Sequence, residues 1–537
     1  MTPRLFSRSS LIAARAPEGL QMTCRRPVRW SPSAASALAL ALWFAAPQVE
    51  AQAVDIGGQF TVNESTTVCA QQARVDTALD GRFVVVWSNS DSQTVLFRRY
   101  DADGAPAGGQ QVVVDTGTGQ DPDVGVAGDG RFVVLWTKLN SIAGRLYDSA
   151  GQPVGADFTV AGAPGIPTDP RVAMDDTGAF VVTWRGLDTA GEASIKARRY
   201  DAAGQPLGAV LDVDTTTGVD VVRPAVGLEP TGGRFVVAWT EFPGSGTDIK
   251  ARRFDATGTA AGGEFRVNSD PAGFQLGHDV AVEGDGGFVV VWHGTVTGSN
   301  LPGVYESVYL ADGSPLRESR LGVETRSESF PAVALSNDGD GRATVFQIGT
   351  PDDTSLRLTA QQQVDLPLVS SLSNAIGKDL AIDDRERAVV VWRDESEDAC
   401  ASVSAKRMQT YRIFPDETVQ AKVHSTDRQA AWKYYVYFPT EPALVTIQLQ
   451  PPAGKDLDLY VQSGDFPNLT NYDCRPFQGA GSPETCSFFS SGAPLLIGVN
   501  GWDQLTLDFT LEATETPMLF GDGFESGDTS AWDALVQ

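Results

Sequence analysis

The sequence predicts an all-β chain: a seven-bladed β-propeller followed by a small β-sandwich. Three observations carry that expectation. First, one phrase recurs seven times, a turn and then an apolar burst ending in an aromatic: GRFVVVW at 81–87, GRFVVLW at 130–136, GAFVVTW at 178–184, GRFVVAW at 233–239, GGFVVVW at 286–292, GRATVF at 341–346 and RAVVVW at 387–392. Second, the aromatics Trp87, Trp136, Trp184, Trp239, Trp292, Phe346 and Trp392 lie 49, 48, 55, 53, 54 and 46 residues apart. A period near fifty in β-rich units marks a ring or a solenoid. Third, the repeat stops after residue 410 and shorter alternating strands take over.

Each repeat contains four short β segments. The third copy shows them as PRVAMD at 170–175, AFVVTW at 179–184, IKARRYD at 195–201 and AVLDVD at 209–214. The second segment is apolar at nearly every position, the pattern of a strand covered on both faces. Turns such as DDTG and AGDG join the first two segments, where positive φ is cheap for Gly and tolerated by Asp and Asn. The seventh copy supplies only three segments: KDLAID at 378–383, RAVVVW, and SVSAKRM at 402–408. The missing fourth is predicted at the other end of the chain, where GGQFTVN at 57–63 matches GGEFRVN at 262–268. Closure of that kind removes the exposed strand edges of an open stack.

At 537 residues the chain is too long for one compact core. Its formal net charge is −27, with +4 over the first 53 residues and −31 over the rest. So acidic a body argues against nucleic acid and anionic lipid as partners and suits a soluble monomer. Residues 1–53 read as a signal peptide: Arg25, Arg26 and Arg29 precede the apolar run at 35–46, and Ala51-Gln52-Ala53 offers a cleavage site. Met22 is an alternative start. The run is too short to span a bilayer, and no later segment is apolar enough. With Cys24 in the signal, Cys69, Cys400, Cys474 and Cys486 remain, an even set that predicts two disulfides in an exported chain. Ring closure would bring Cys69 and Cys400 to one face of adjacent blades, so these two are expected to pair.

Beyond 410, AAWKYYVYFP, ALVTIQLQPP, DLDLYVQSG, PLLIGVNGW and LTLDFTLEA follow as β segments. The residues Trp432, Tyr434 and Tyr435, the run Asp456-Leu457-Asp458-Leu459-Tyr460-Val461, Tyr472-Asp473-Cys474 and Glu484-Thr485-Cys486 give this stretch a specific resemblance. Over roughly 412–513 it is similar to the bacterial pre-peptidase C-terminal domain. The resemblance implies an accessory β-sandwich of exported enzymes, often proteases, that binds extracellular polymer or assists secretion. It also implies a Cys474–Cys486 bridge and calcium ligation by Asp456 and Asp458, although two carboxylates alone do not make a calcium site. The end, FGDGFESGDTSAW, resembles a tail of exported proteins from Gram-negative bacteria. The ring repeats resemble those of large exported bacterial proteins, a likeness that supplies no function.

Catalytic signals are sparse. The chain has only three histidines, His278, His293 and His424, and no HExxH, GxSxG or GxxxxGK[ST] motif. Most acids sit in recurrent turns, where Asp serves the backbone. The basic pairs Arg98-Arg99, Arg198-Arg199, Arg252-Arg253 and Lys406-Arg407 are split between two faces of a strand, so bridging to acids of neighbouring blades is expected. Connections after the second strand are long and variable, as binding loops on a rigid ring are. A ligand is therefore expected there, nearest His293, Tyr305 and Glu241. The domain reading is signal 1–53, propeller 54–410, sandwich 411–514 and tail 515–537. The functional reading is a secreted, non-catalytic binding or adhesion protein that meets an extracellular polymer or surface protein. The alternative is a polysaccharide hydrolase or lyase using ring carboxylates.

Overall fold

The computed structural model describes residues 54–55, 59–64, 69–90, 92–108, 112–115, 119–162, 165–244, 246–271, 273–297, 302–321, 328–336, 342–348, 355–360, 370–371, 375–383, 387–394, 401–409, 412–413, 417–423, 431–437, 439, 443–463, 467, 469, 471–476, 478–490, 495–501 and 507–517. The expected signal segment up to residue 53, Cys24, Cys400, His424 and the tail from 518 lie outside the described residues. Every regular element among the described residues is a β-strand. Up to Gln409 the strands form seven sheets. The first pairs Ala70–Thr77, Phe83–Asn89, Thr94–Tyr100 and Val112–Asp115 antiparallel in chain order. The same order recurs in sheets that start at Gly119, Thr168, Asp220, Gln275 and Glu328. The opening strand of each sheet lies against that of the next, and Ala375–Ile382 of the seventh lies against Ala70–Thr77 of the first.

The seventh sheet is completed from the beginning of the chain. Val54 and Asp55 pair with Gln409 and Met408, and Phe60 and Thr61 pair with Ala405 and Ser404. Beyond them Val62 N donates to Val403 O at 2.8 Å, and Val403 N donates to Asn63 Oδ1 at 2.7 Å. Val62 is fully buried.

Continuous apolar runs follow from double burial. In Phe83–Asn89, the residues Phe83, Val85 and Trp87 pack with Val389, Val391 and Val403 of the seventh sheet. The intervening Val84 and Val86 pack with Val124, Phe132 and Trp136 of the second. One strand thus feeds two cores, and Phe83 through Trp87 are apolar without a break. The Phe after each turn stacks on the aromatic that ends the third strand: Phe83 on Tyr100, Phe132 on Tyr147, Phe180 on Tyr200, Phe235 on Phe254 and Phe288 on Tyr309, with centroids 4.6–4.8 Å apart. Offset aromatic pairs of this kind contribute about 0.5–1.5 kcal/mol beyond their burial.

Arginines join sheet to sheet, and here the expectation of acid partners needs correction. The basic pairs reach mainly backbone carbonyls of the neighbouring sheet. Arg99 Nη1 donates to Ser149 O at 2.7 Å, Arg199 Nη1 to Thr257 O at 2.6 Å and Arg253 Nη1 to Ala311 O at 2.8 Å, while Arg407 donates to Asp103 O across the closure. The reason is geometric: each turn that follows a third strand leaves carbonyls uncommitted beside the preceding sheet. A second series uses the Arg that opens the recurrent apolar phrase. Arg82 donates to Asp129 O at 3.0 Å, Arg131 to Thr177 O at 3.1 Å, Arg234 to Asp285 O at 2.8 Å and Arg387 to Asp80 O at 3.0 Å. Gly81 holds φ at +85°, and a Cβ there would sit 1.7 Å from the Arg387 guanidinium. Glycine is needed at that turn for conformation and for space.

After Gln409 two further four-stranded sheets form. One runs Arg412–Ile413, Ala431–Tyr437, Leu495–Gly501, Leu457–Ser463; the other runs Glu417–Val423, Leu507–Pro517, Ala443–Gln450, Glu484–Ser490. Their apolar sides meet in one core containing Tyr435, Leu459, Val461 and Ile497 from the first and Val445, Ile447, Phe509 and Leu511 from the second. Cys474 and Cys486 form a disulfide in this region. Cys69 is also disulfide-bonded.

Replacing Asn63 by Ala should strand the buried Val403 N–H. Urea denaturation should then show a loss of about 1–3 kcal/mol. A change no larger than that from a substitution at exposed Thr61 would show that the closing segment does not hold the ring.

Candidate functional site

All seven opening strands surround one cavity of about 490 Å³. Each of them breaks register at a bulge, between Gln71 and Arg74 in the first sheet and at the equivalent place in the others. Bulge residues with positive φ include Gln72 (51°), Asp121 (49°), Asp169 (54°), Arg223 (54°), Gly277 (51°) and Phe330 (50°). Five of these are not glycine, and non-glycine residues in that region cost on the order of 1–3 kcal/mol each. A bulge repeated at this cost turns side chains out of the ladder and toward the cavity rim.

Deeper in the cavity, carboxylates bind neighbouring backbone. Asp379 Oδ2 accepts from Val75 N at 2.9 Å, Asp76 Oδ2 from Val126 N at 2.7 Å, Asp123 Oδ2 from Val172 N at 2.7 Å and Asp279 Oδ2 from Val333 N at 3.0 Å. Each bond crosses to the next opening strand, whose inward edge has no further strand to pair with. Burial raises these acids against the pull of the same N–H groups. Asp76 is pushed up to about 7, and Asp123 and Asp279 to about 6. Asp379 is raised for the same reason. Arg74 lies 3.8 Å from Asp123.

The rim between the fourth and sixth sheets is different. Arg223 is exposed, lines the cavity and has no side-chain hydrogen bond or ion pair among the described residues. At the next position around the rim, Gly277 has no side chain, and the His293 ring occupies the space: a Cβ at Gly277 would fall 2.5 Å from His293 Cε1. Phe330 follows, 49% exposed, with its ring centroid 5.0 Å from that of His293. Phe330 N donates to His293 Nδ1 at 3.2 Å, which assigns the His293 proton to Nε2. Burial holds both His293 and His278 down at about 4, and the Arg223 charge acts in the same direction. His278 Nδ1 lies 3.2 Å from Thr240 Oγ1, while its Nε2 is buried without a hydrogen-bond partner. On the seventh sheet the Lys378 amine is likewise buried and unpartnered, and burial draws it well below the usual lysine range.

The residues singled out from sequence are distributed as follows. His293 stands at the rim. Tyr305 is buried between sheets, its ring 5.8 Å from that of Trp292 and under the Arg320 guanidinium at 6.0 Å. Glu241 is also buried, 3.4 Å from Lys250 Nζ. The three are therefore not a common surface. In the last two sheets Asp458 is buried and receives a 2.7 Å bond from Arg475, whose guanidinium lies 4.7 Å over the Tyr460 ring. Among the described residues no group of three or more His, Cys, Asp or Glu side chains is placed to hold a metal. No helix among them is long and apolar enough to cross a membrane. Arg223, Phe330, His278 and Lys378 escaped sequence reading. At the bulge place of His278 and Lys378 four other sheets carry proline (Pro122, Pro170, Pro224 and Pro331), so departure from that proline is the sequence signal for those two. Arg223 and Phe330 stand at the preceding place, where the residue type varies.

No family model matches the chain. A neutral protease of Vibrio proteolyticus is 43% identical over 78 residues, which are 14% of this chain and 12% of that protein, so the chain spans only a small part of that relative. Similar solved structures include a protein of unknown function from Dyadobacter fermentans, 11% identical with a TM-score of 0.41, covering 67% of this chain and 98% of that one. The β-propeller domain of the Trilobed protease from Pyrococcus furiosus is 10% identical with a TM-score of 0.41, covering 65% of this chain and 96% of that one. The pre-peptidase C-terminal domain of a collagenase from Bacillus anthracis is 14% identical with a TM-score of 0.17, covering 19% and 93%.

Because Asp76 titrates near 7 in the folded chain and near 3.8 when unfolded, it stabilises the fold while protonated and that contribution is lost as pH rises through 7. Asp76→Asn lacks the loss. The melting temperature of the variant should therefore gain on wild type between pH 5 and pH 8, measured by differential scanning fluorimetry. A constant or opposite difference would show that Asp76 is charged throughout.

Proposed function

We propose that the seven sheets are the blades of a closed β-propeller over 54–410, followed by a β-sandwich of the pre-peptidase C-terminal kind over 411–514. Residues 1–53 are then an export signal and 515–537 a tail, and the chain works outside the cytoplasm or at the surface of a Gram-negative cell. Two disulfides suit that compartment. The partner assigned to Cys69 is Cys400, a pairing supported by the 3.0 Å bond from Ala70 N to Ala401 O in the adjoining residues.

Within this reading the ring is a non-catalytic recognition scaffold for an extracellular polymer or a surface protein, and the sandwich is an accessory binding module. The observation that carries it is the engagement of the cavity carboxylates. Asp76, Asp123, Asp279 and Asp379 each hold a backbone N–H of the neighbouring opening strand, so their first duty is to the ring. His293 belongs to the recognition surface, and Tyr305 and Glu241 support the wall behind it.

One observation favours a hydrolase instead. A carboxyl near 7 such as Asp76 has the proton affinity a general acid needs at neutral pH. The two readings separate on a panel of polysaccharides and matrix proteins, with and without calcium. Recognition predicts saturable binding without product. Turnover of any polymer that disappears in Asp76→Asn would replace the scaffold reading by the enzymatic one.

A further inference from the structure

We propose that the rim notch formed by Arg223, His293 and Phe330 binds the carboxylate of an acidic sugar. This rests on the recognition reading and gives it a ligand class.

The argument begins with charge. A chain of net charge −27 would not be expected to attract anions, and its cavity carboxylates already accept N–H groups. Arg223 is the exception. It is exposed on the cavity lining, carries no partner among the described residues and is held at φ +54° by the bulge. An unpaired guanidinium presents a planar fork that fits a carboxylate with two parallel hydrogen bonds.

The neighbours define what bears the carboxylate. Gly277 leaves a gap in the rim that the His293 ring fills, and the bond from Phe330 N to Nδ1 leaves the proton of the neutral ring on Nε2. Phe330 then offers an exposed flat face on the other side of His293. A guanidinium, a neutral ring donor and an aromatic face in sequence match a pyranose with a carboxylate at one edge, a hydroxyl beside it and an apolar C–H face. His278 Nε2, buried on the cavity lining without a partner, is a further polar atom for a group that reaches inward. The cavity volume of about 490 Å³ falls within the range of small-ligand sites.

Calorimetric titration of the full chain with trigalacturonate, its methyl ester and acetate tests the proposal. Saturable binding of trigalacturonate is expected, at least tenfold weaker in Arg223→Gln and several-fold weaker in Phe330→Ala. The ester should bind no better to wild type than to Arg223→Gln. Both substituted residues are exposed, and unchanged melting temperatures will show that the variants fold. Equal binding of the ester, equal binding of acetate, or trigalacturonate affinity untouched in Arg223→Gln would overturn it. If trigalacturonate does not bind while another polymer does, the notch assignment fails and the recognition reading stands. If no polymer of the panel binds, both fail.

Discussion

Apolar contact between twisted sheets is strong but has no direction, so burial alone does not specify how many sheets follow one another before the first meets the last. Directional bonds between neighbours do. On one side of the ring, arginines that open the recurrent apolar phrase donate to turn carbonyls of the next sheet, as Arg82 does to Asp129 and Arg387 to Asp80. Around the cavity, carboxylates accept the N–H of the next opening strand, as Asp379 does from Val75. Hydrogen bonds to charged groups contribute about 1.5–3 kcal/mol each. Several of them, repeated at fixed positions, set the angle at which each sheet meets its neighbour. The closing pair obeys the same geometry as the internal ones: Arg387 reaches the first sheet as Arg82 reaches the second, and Asp379 holds Val75 N as Asp123 holds Val172 N.

That constraint also shapes the chemistry of the cavity. Acids that hold backbone N–H groups are fixed in place and shifted upward by burial, and they form a wall in which Asp76 is about half protonated at neutral pH while Asp123 and Asp279 keep most of their charge. Arg223 stands out against such a wall because nothing in it answers the guanidinium. The strained bulges place the rim residues without disturbing the ladders below, since the pairing resumes two or three residues later in each opening strand. Variation at the rim is therefore separable from the stability of the ring, which is how a rigid scaffold can carry different ligands.

Much of the architecture was legible because it repeats. The apolar run of each second strand follows from burial on two faces, and the Asp/Gly turns follow from positive φ. Even the completing segment was visible, since GGQFTVN matches an internal fourth strand. The Arg partners were not legible. A sequence shows opposite charges, whereas the guanidiniums reach mainly backbone carbonyls that every residue possesses. The rim was hidden for another reason. Gln72, Asp121, Asp169, Arg223, Gly277 and Phe330 share a conformation but range over five residue types, so their own chemistry does not mark them; the recurrent signal is the proline that follows four of them. Tyr305 drew notice for its loop-side position, yet its ring serves the core beside Trp292.

Closure by a segment from the far end of the chain is the claim on which the cavity, the rim and the arginine relay all depend. Hydrogen exchange at the Val62 and Val403 amides reports on it directly. The account predicts that both exchange as slowly as Val86 in a central strand, because both lie in backbone or side-chain bonds that join the two ends. Exchange of Val403 at the rate of an open loop, with Val86 still protected, would mean that the ring is not closed in this way.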